Sequence, residues 1–194
     1  MNNSLLKKTV IAMPLLFSAA AAMANTPTSS STLNVSGNIV TSTCAVAAGD
    51  LNKTIALPTV LTSDLLNANN LQPVTFSFAI NNCDSSKSQA RATIGGTTSG
   101  SDVSGYGSNS VIANTGTATN VGIGFLGASS VSASPTGPLA VGSASASTAL
   151  NAVGGASTTS GTLYLSAQVV PLTKAVQAGS GTVAGTATVT FTYS

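Results

Sequence analysis

The 194-residue chain contains no histidine, no tryptophan and no glutamate. Only 5% of it is charged, against roughly 25% in an average soluble domain. Without histidine there is no Ser-His-Asp triad and no histidine-ligated metal site. Without histidine or glutamate, and with its few aspartates scattered, the chain lacks the usual general acid–base groups. An enzyme is therefore not expected, nor any cofactor or metal. No basic patch is available for phosphates, so nucleic acid is not an expected partner. Aromatic residues are equally scarce, at 4%.

What remains is a chain with 43% hydrophobic residues, carried mostly by Ala, Val, Leu and Ile and diluted by Gly, Ser and Thr. The low charge argues against intrinsic disorder. The length suits one domain with appendages.

Residues 1–24 read as a secretory signal peptide. Lys7 and Lys8 form the positive start, Thr9 to Ala21 the apolar stretch, and Ala22-Met23-Ala24 the small-x-small cleavage pattern. The competing reading, a membrane-spanning helix, needs about 20 apolar residues, and this run is shorter. Cleavage before Asn25 leaves Lys53, Lys87, Arg91 and Lys174 against Asp50, Asp64, Asp84 and Asp102, with no net charge. So neutral a surface is poorly defended against self-association. In an exported chain that suggests burial in an assembly.

Cys44 and Cys83 are an even pair, 39 positions apart. For a chain leaving the cytosol a disulfide is the default. A metal site, which would need further ligands, and two free thiols are the alternatives.

Beyond residue 24 the periodicity is two. Leu33 to Ser36 alternates, and Ile39-Val40 and Ala45-Val46 read as extended. Lys53 to Leu57, Val74 to Ile80, Ala90 to Ile94, Ser110 to Ile112, Asn120 to Leu126 and Gly161 to Val170 are strand candidates. Leu61 to Leu66 suits a single helical turn. Repeated short strands joined by Ser, Gly and Thr indicate an antiparallel β-sandwich. Gly127 to Gly161 reads as an insertion within that domain, holding long loops or edge strands. At the C-terminus Gly181, Val183, Gly185, Ala187, Val189, Phe191 and Tyr193 share one face, and Thr182, Ala184, Thr186, Thr188, Thr190 and Thr192 the other. That strand either anchors in the core or forms an ordinary sandwich edge. The polar stretch Asn25 to Thr32, followed by Leu33 and Val35, is either a disordered leader or a strand meant for another molecule.

Three signatures resemble the major pilins of the chaperone–usher pathway, close to type 1 fimbrial subunits. They are Gly37-Asn38-Ile39-Val40 through Thr43-Cys44-Ala45-Val46, then Asn81-Asn82-Cys83-Asp84, then a C-terminal strand with penultimate Tyr193 and with Gly181 fourteenth from the end. Asn120-Val121-Gly122-Ile123 also looks like the family's central strand. The resemblance implies an all-β fold: an incomplete immunoglobulin-like β-sandwich with an N-terminal donor-strand extension. Its domains would be the signal peptide 1–24, the extension 25–36 and the pilin domain 37–194. It also implies partners: a periplasmic chaperone, an outer-membrane usher, and identical or related pilin subunits joined head-to-tail in an extracellular fimbria. The donor strand would present Pro27, Ser29, Ser31, Leu33 and Val35. The acceptor groove and chaperone contact would involve Gly181, Val183, Val189, Phe191 and Tyr193. The family often carries Gly where the donor crosses a tight part of the groove, and this chain offers Ser29, Ser30 and Ser31 there.

The leading expectation is a structural subunit that polymerises by donor-strand exchange. A minor or adaptor pilin, or a tip-associated adhesive subunit, is the alternative. A two-domain adhesin needs a preceding lectin domain, for which residues 25–194 leave no room. An unrelated monomeric sandwich is the remaining possibility.

Overall fold

A computed structural model describes residues 44–152 and 158–194. The signal segment 1–24, the extension 25–36 and the Ile39-Val40 stretch lie outside the described residues. Among the described residues there are twelve strands, three short 3-10 turns and no α-helix. The strands are β1 (Ala45–Val46), β2 (Val74–Asp84), β3 (Gln89–Gly95), β4 (Asp102–Val103), β5 (Gly107–Ser108) and β6 (Ile112–Ala113). After them come β7 (Val121–Ala128), β8 (Pro138–Leu139), β9 (Ala144–Ala149), β10 (Asn151–Ala152), β11 (Thr158–Pro171) and β12 (Thr188–Tyr193).

β11 is the spine of the larger sheet. One of its edges pairs antiparallel with β2, from Thr158↔Asp84 to Ala167↔Val74. The other pairs with β7, from Tyr164↔Ala128 to Pro171↔Val121. The order is β1-β2-β11-β7-β6, with β10 added to β11 and β8 to β7. A second sheet has the order β12-β3-β9. Alternation explains how the two sheets share one core. Phe78 and Ile80 of β2, Ile123 and Phe125 of β7, and Leu163 and Leu165 of β11 turn toward Ala90, Ala92 and Ile94 of β3. Val189, Phe191 and Tyr193 of β12 close the same core from its margin, half-buried. Cys83 is fully buried, and a disulfide joins it to Cys44.

The outer face of the larger sheet is covered too. The β4–β5 hairpin lays Tyr106 over Gly124, and Val103 packs with Val111 and Val170. This is why Ser166, Gln168 and Val170 are as buried as Leu163, Leu165, Ala167 and Val169 on the opposite face of β11.

Two expectations change. Lys53 to Leu57 is not a strand. From Asn52 to Val60 the backbone makes no backbone hydrogen bond to any described residue, so the alternating sequence has no ladder to join. The C-terminal strand is also shorter than its alternation suggests. β3 ends at Gly95, and residues 182–184 bond to the loop Asn114 to Ala118 instead: Thr115 N–H donates to the Ala184 carbonyl, and Ala118 N–H to the Thr182 carbonyl. The Gly127 to Gly161 insertion supplies β9, the far edge of the smaller sheet. The turn expected within Leu61 to Leu66 forms over Asp64–Leu66.

Candidate functional site

The C-terminal segment is built to stay extended. Asn114 is its clasp: Oδ1 accepts from the N–H groups of Ala184 and Gly116, and Nδ2 donates to the Ala118 carbonyl at 2.8 Å. Thr117 and Thr182 exchange hydrogen bonds, each backbone N–H donating to the other's Oγ1 at 3.1 and 2.9 Å. Gly181 opens the segment with φ of +154°, a region open essentially only to glycine. At the other end, the Ser194 carbonyl accepts from the N–H groups of Ser88 and Gln89. β12 runs between these two fastenings, with Val189, Phe191 and Tyr193 inward and Thr188, Thr190 and Thr192 exposed.

One edge of β12 pairs with β3 from Thr188↔Gly95 to Tyr193↔Ala90. The other edge pairs with no described strand. It faces a groove of about 560 Å³, whose far wall is the segment from Asp50 to Leu57, its backbone from Asn52 onward unpaired with any described residue. Phe76, Phe78, Ile112, Ile123 and Phe125 form the floor. A second stretch of about 680 Å³ continues past Pro58 and Val60 on one side and Gly179 to Ala184 on the other. The two stretches share Ile55, Leu57, Ile123 and Gly185, so they form one trough with a waist. At the waist Gly185 has no room for a side chain, because an added Cβ would sit 2.9 Å from Ile123 Cδ1 and 3.0 Å from Ile112 Cγ2.

The trough is a gap in the sandwich. Among the described residues both walls carry backbone unpaired on the groove side, and the floor is hydrophobic core. Phe78 is the pivot, with its ring edge-on to Phe76 at 5.8 Å and to Phe191 at 5.3 Å. A missing strand leaves such a gap: two edges to bond and apolar sockets to fill.

Charge is confined to one lip. Lys53 Nζ lies 2.6 Å from Asp50 Oδ1 and 5.5 Å from the centre of the Phe78 ring. The Lys53 ammonium, and then the Ala79 N–H, hold the Asp50 carboxyl below the usual carboxylate range. Burial pushes the Tyr193 hydroxyl above its ordinary value. On the outer face of the larger sheet, burial pushes Tyr106 up to about 12, opposed by the hydrogen bond that Gln168 Nε2 donates to its hydroxyl. Among the described residues no three Cys or Asp side chains converge where a metal ion would sit.

The structure brings Gly181, Val183, Val189 and Phe191 together along one wall. Tyr193 packs against the core beyond the groove lining. Pro27, Ser29, Ser31, Leu33 and Val35 lie outside the described residues. The opposite wall, from Asp50 to Val60, was not named as a site from sequence. Its signal was the alternation of Lys53 to Leu57, a strand pattern with no partner.

Comparison with known proteins gives this geometry a setting. The family model described as Fimbrial protein matches residues 33–194. A fimbrial subunit type 1 of Klebsiella pneumoniae is 35% identical over 123 residues, covering 60% of this chain and 65% of that protein. The chain thus matches just under two thirds of that relative's length. The P pilus rod subunit PapA has a similar fold, with a TM-score of 0.51 at 16% identity over 78% of this chain and 99% of that one. So does a chaperone–usher pilus whose structure addresses rod uncoiling, with a TM-score of 0.54 at 17% identity over 87% of this chain and 98% of that one. These likenesses identify the sandwich as the immunoglobulin-like fold of pilus subunits. On the family match across residues 33–194, the chain belongs to the fimbrial protein family, whose members are structural subunits of fimbriae rather than enzymes.

Proposed function

We propose that this chain is a shaft subunit of a surface fimbria and polymerises by donating a strand to its neighbour's groove. The observation that carries the reading is the trough between Asn52–Val60 and the C-terminal segment, which among the described residues has unpaired backbone on both walls and an apolar floor. An extended segment laid there would bond to β12 on one side and to residues 52–60 on the other. Its alternate side chains would meet Phe76, Phe78, Ile123 and Phe125.

Residues 25–36 are the segment proposed to fill it. Pro27, Ser29, Ser31, Leu33 and Val35 occupy five alternate positions spanning about 27 Å, as do Val183, Gly185, Ala187, Val189 and Phe191 on the wall. Small side chains in the middle of the donor suit a trough with a waist. Each subunit would fill one groove and offer one strand, a head-to-tail contact that does not close and therefore grows a filament. Before assembly the same apolar trough needs temporary cover. The reading assigns that role to a periplasmic chaperone, which hands the subunit to an outer-membrane usher.

Deletion of residues 25–36 tests the reading. The expected product is a chaperone-bound subunit that never donates, so that fibres are absent by electron microscopy. Normal fibres from this deletion overturn it. Gold labelling along the whole shaft, rather than at tips, is the result expected of a major subunit.

A further inference from the structure

The groove has a second sheet edge on its charged lip. In β2 the residues Thr75, Ser77 and Ala79 are alternate, so their N–H and C=O groups all point away from β11. β1 covers only Asn81 and Ile80 of that edge. Ala79 is completed from the chain that follows β1: Ala47 N–H donates to its carbonyl at 2.9 Å, and its own N–H donates to Asp50 Oδ2 at 2.8 Å. Ser77 is capped by Lys53, whose Nζ donates to the Ser77 carbonyl at 2.6 Å. Asp50 and Lys53 bond each other as well, so each half-buried charge holds one backbone group and its partner. Among the described residues this is the only ion pair. In so lightly charged a chain, its place on a sheet edge beside an apolar trough calls for an explanation.

We propose that the Asp50–Lys53 pair guards the β2 edge and thereby confines strand addition to the β12 side of the groove. The inference rests on the reading that an extended segment enters this groove. Such a segment would meet two open edges flanking the same phenylalanines. On the β12 side the wall offers continuous backbone. On the β2 side it would have to displace a carboxylate from the Ala79 N–H and an ammonium from the Ser77 carbonyl, exposing both charges to the apolar floor. Charges aimed at an edge are a known defence against unwanted pairing. Here the defence works by occupying the hydrogen-bonding groups themselves.

The test uses the full chain and a synthetic peptide of residues Asn25 to Ser36 bearing a photoreactive group, with cross-links mapped by mass spectrometry. With the native sequence, labels are expected on residues 182–193 and 52–60 and on the floor rings Phe76 and Phe78, and not on the edge residues Thr75, Ser77 and Ala79. The double variant Asp50→Asn with Lys53→Met is expected to raise labelling of Thr75, Ser77 and Ala79 about tenfold. Thermal melts establish that it remains folded. The exchange variant Asp50→Lys with Lys53→Asp keeps an ion pair but sets an ammonium against the Ala79 N–H and a carboxylate against the Ser77 carbonyl. It is expected to label Thr75, Ser77 and Ala79 as the double variant does. Labelling unchanged in the double variant, or native-like protection in the exchange variant, overturns the proposal. Absence of label on residues 182–193 of the native chain refutes the groove reading instead. The edge claim is then still decided by whether label reaches Thr75, Ser77 and Ala79 in the variants.

Discussion

Gly181→Ala is the sharpest probe of how the groove wall is held. At this position φ is +154°, and a Cβ would lie 2.5 Å from the Ala118 nitrogen and 2.6 Å from Thr117 Oγ1. Neither neighbour can yield cheaply. The Ala118 N–H is bonded to the Thr182 carbonyl at 3.1 Å, and Thr117 Oγ1 accepts from the Thr182 N–H. A residue forced into this backbone region costs about 1–3 kcal/mol. Overpacking against backbone adds about 1–3 kcal/mol. The expected loss is therefore about 2–6 kcal/mol, out of a stability of about 5–15 kcal/mol for a typical domain. For a chain of this size that lowers Tm by about 4–24 °C. Gly105→Ala separates the two contributions, because Gly105 also has a positive φ, +87°, but nothing lies within 4 Å of an added Cβ. It should cost about 1 kcal/mol, from backbone strain alone. Urea unfolding of both variants, followed by circular dichroism, measures the difference. A Gly181→Ala chain as stable as the Gly105→Ala chain refutes the claim that contact with Thr117 and Ala118 fixes the start of the wall.

Further outcomes follow from other contacts. Replacing Cys44 and Cys83 by Ser should cost about 4 kcal/mol, the chain-entropy value for a loop of 39 positions, read by urea unfolding under oxidising conditions. Phe191→Ala should cost about 2 kcal/mol, below the 3–5 kcal/mol of a fully buried ring, because Phe191 is only half-buried; its fibre yield should fall further than this loss alone would cause. Tyr106 titrates near 10.0 when unfolded and about 12 when folded, so its contribution is complete below pH 10 and lost as pH rises toward 12; alkaline melts of the native chain should show that decline, and those of Tyr106→Phe a smaller one, because Tyr193 is raised as well. The Asp50 and Asp84 carboxyls are depressed, so their contribution is present above 3.8 and lost as pH falls through their lower folded values. With no histidine to titrate, stability should be flat between about pH 5 and 9.

Alternation made β2, β3, the second half of β11 and the inward face of the C-terminal segment legible, because each has one face against the core and the other in a different environment. Other elements carry no such signal. In β9, Ala144–Ala149, the residues are all Ala, Ser and Thr, and the strand is recruited by backbone pairing to β3 rather than by apolar side chains. β7, read as a strand over Asn120 to Leu126, is buried on both faces from Val121 to Phe125, with Tyr106 lying over Gly124, so no alternation marks its inward face. The groove was half legible. Its C-terminal wall shows in the alternating residues from Gly181 to Tyr193. Its other wall was read as the strand Lys53 to Leu57, a reading that fails only because pairing is a property of two segments. Sequence reports the readiness of one segment to pair and not the presence of its partner.

That distinction also recasts the scarcity of charge. A nearly neutral chain has few ways to keep strand edges from pairing, and where it places its charges separates closed edges from open ones. At the groove, Asp50 and Lys53 occupy the β2 edge. Among the described residues nothing comparable protects β12, whose exposed face is Thr188, Thr190 and Thr192 and whose edge away from β3 looks onto Phe76 and Phe78. Threonine keeps such a strand extended and soluble without blocking its backbone. An undefended edge beside an apolar floor is a liability in a monomer. In the assembly proposed above it becomes a binding surface, with residues 25–36 of another copy supplying the strand. The alternating run Lys53 to Leu57 then gains the ladder that its sequence already anticipates.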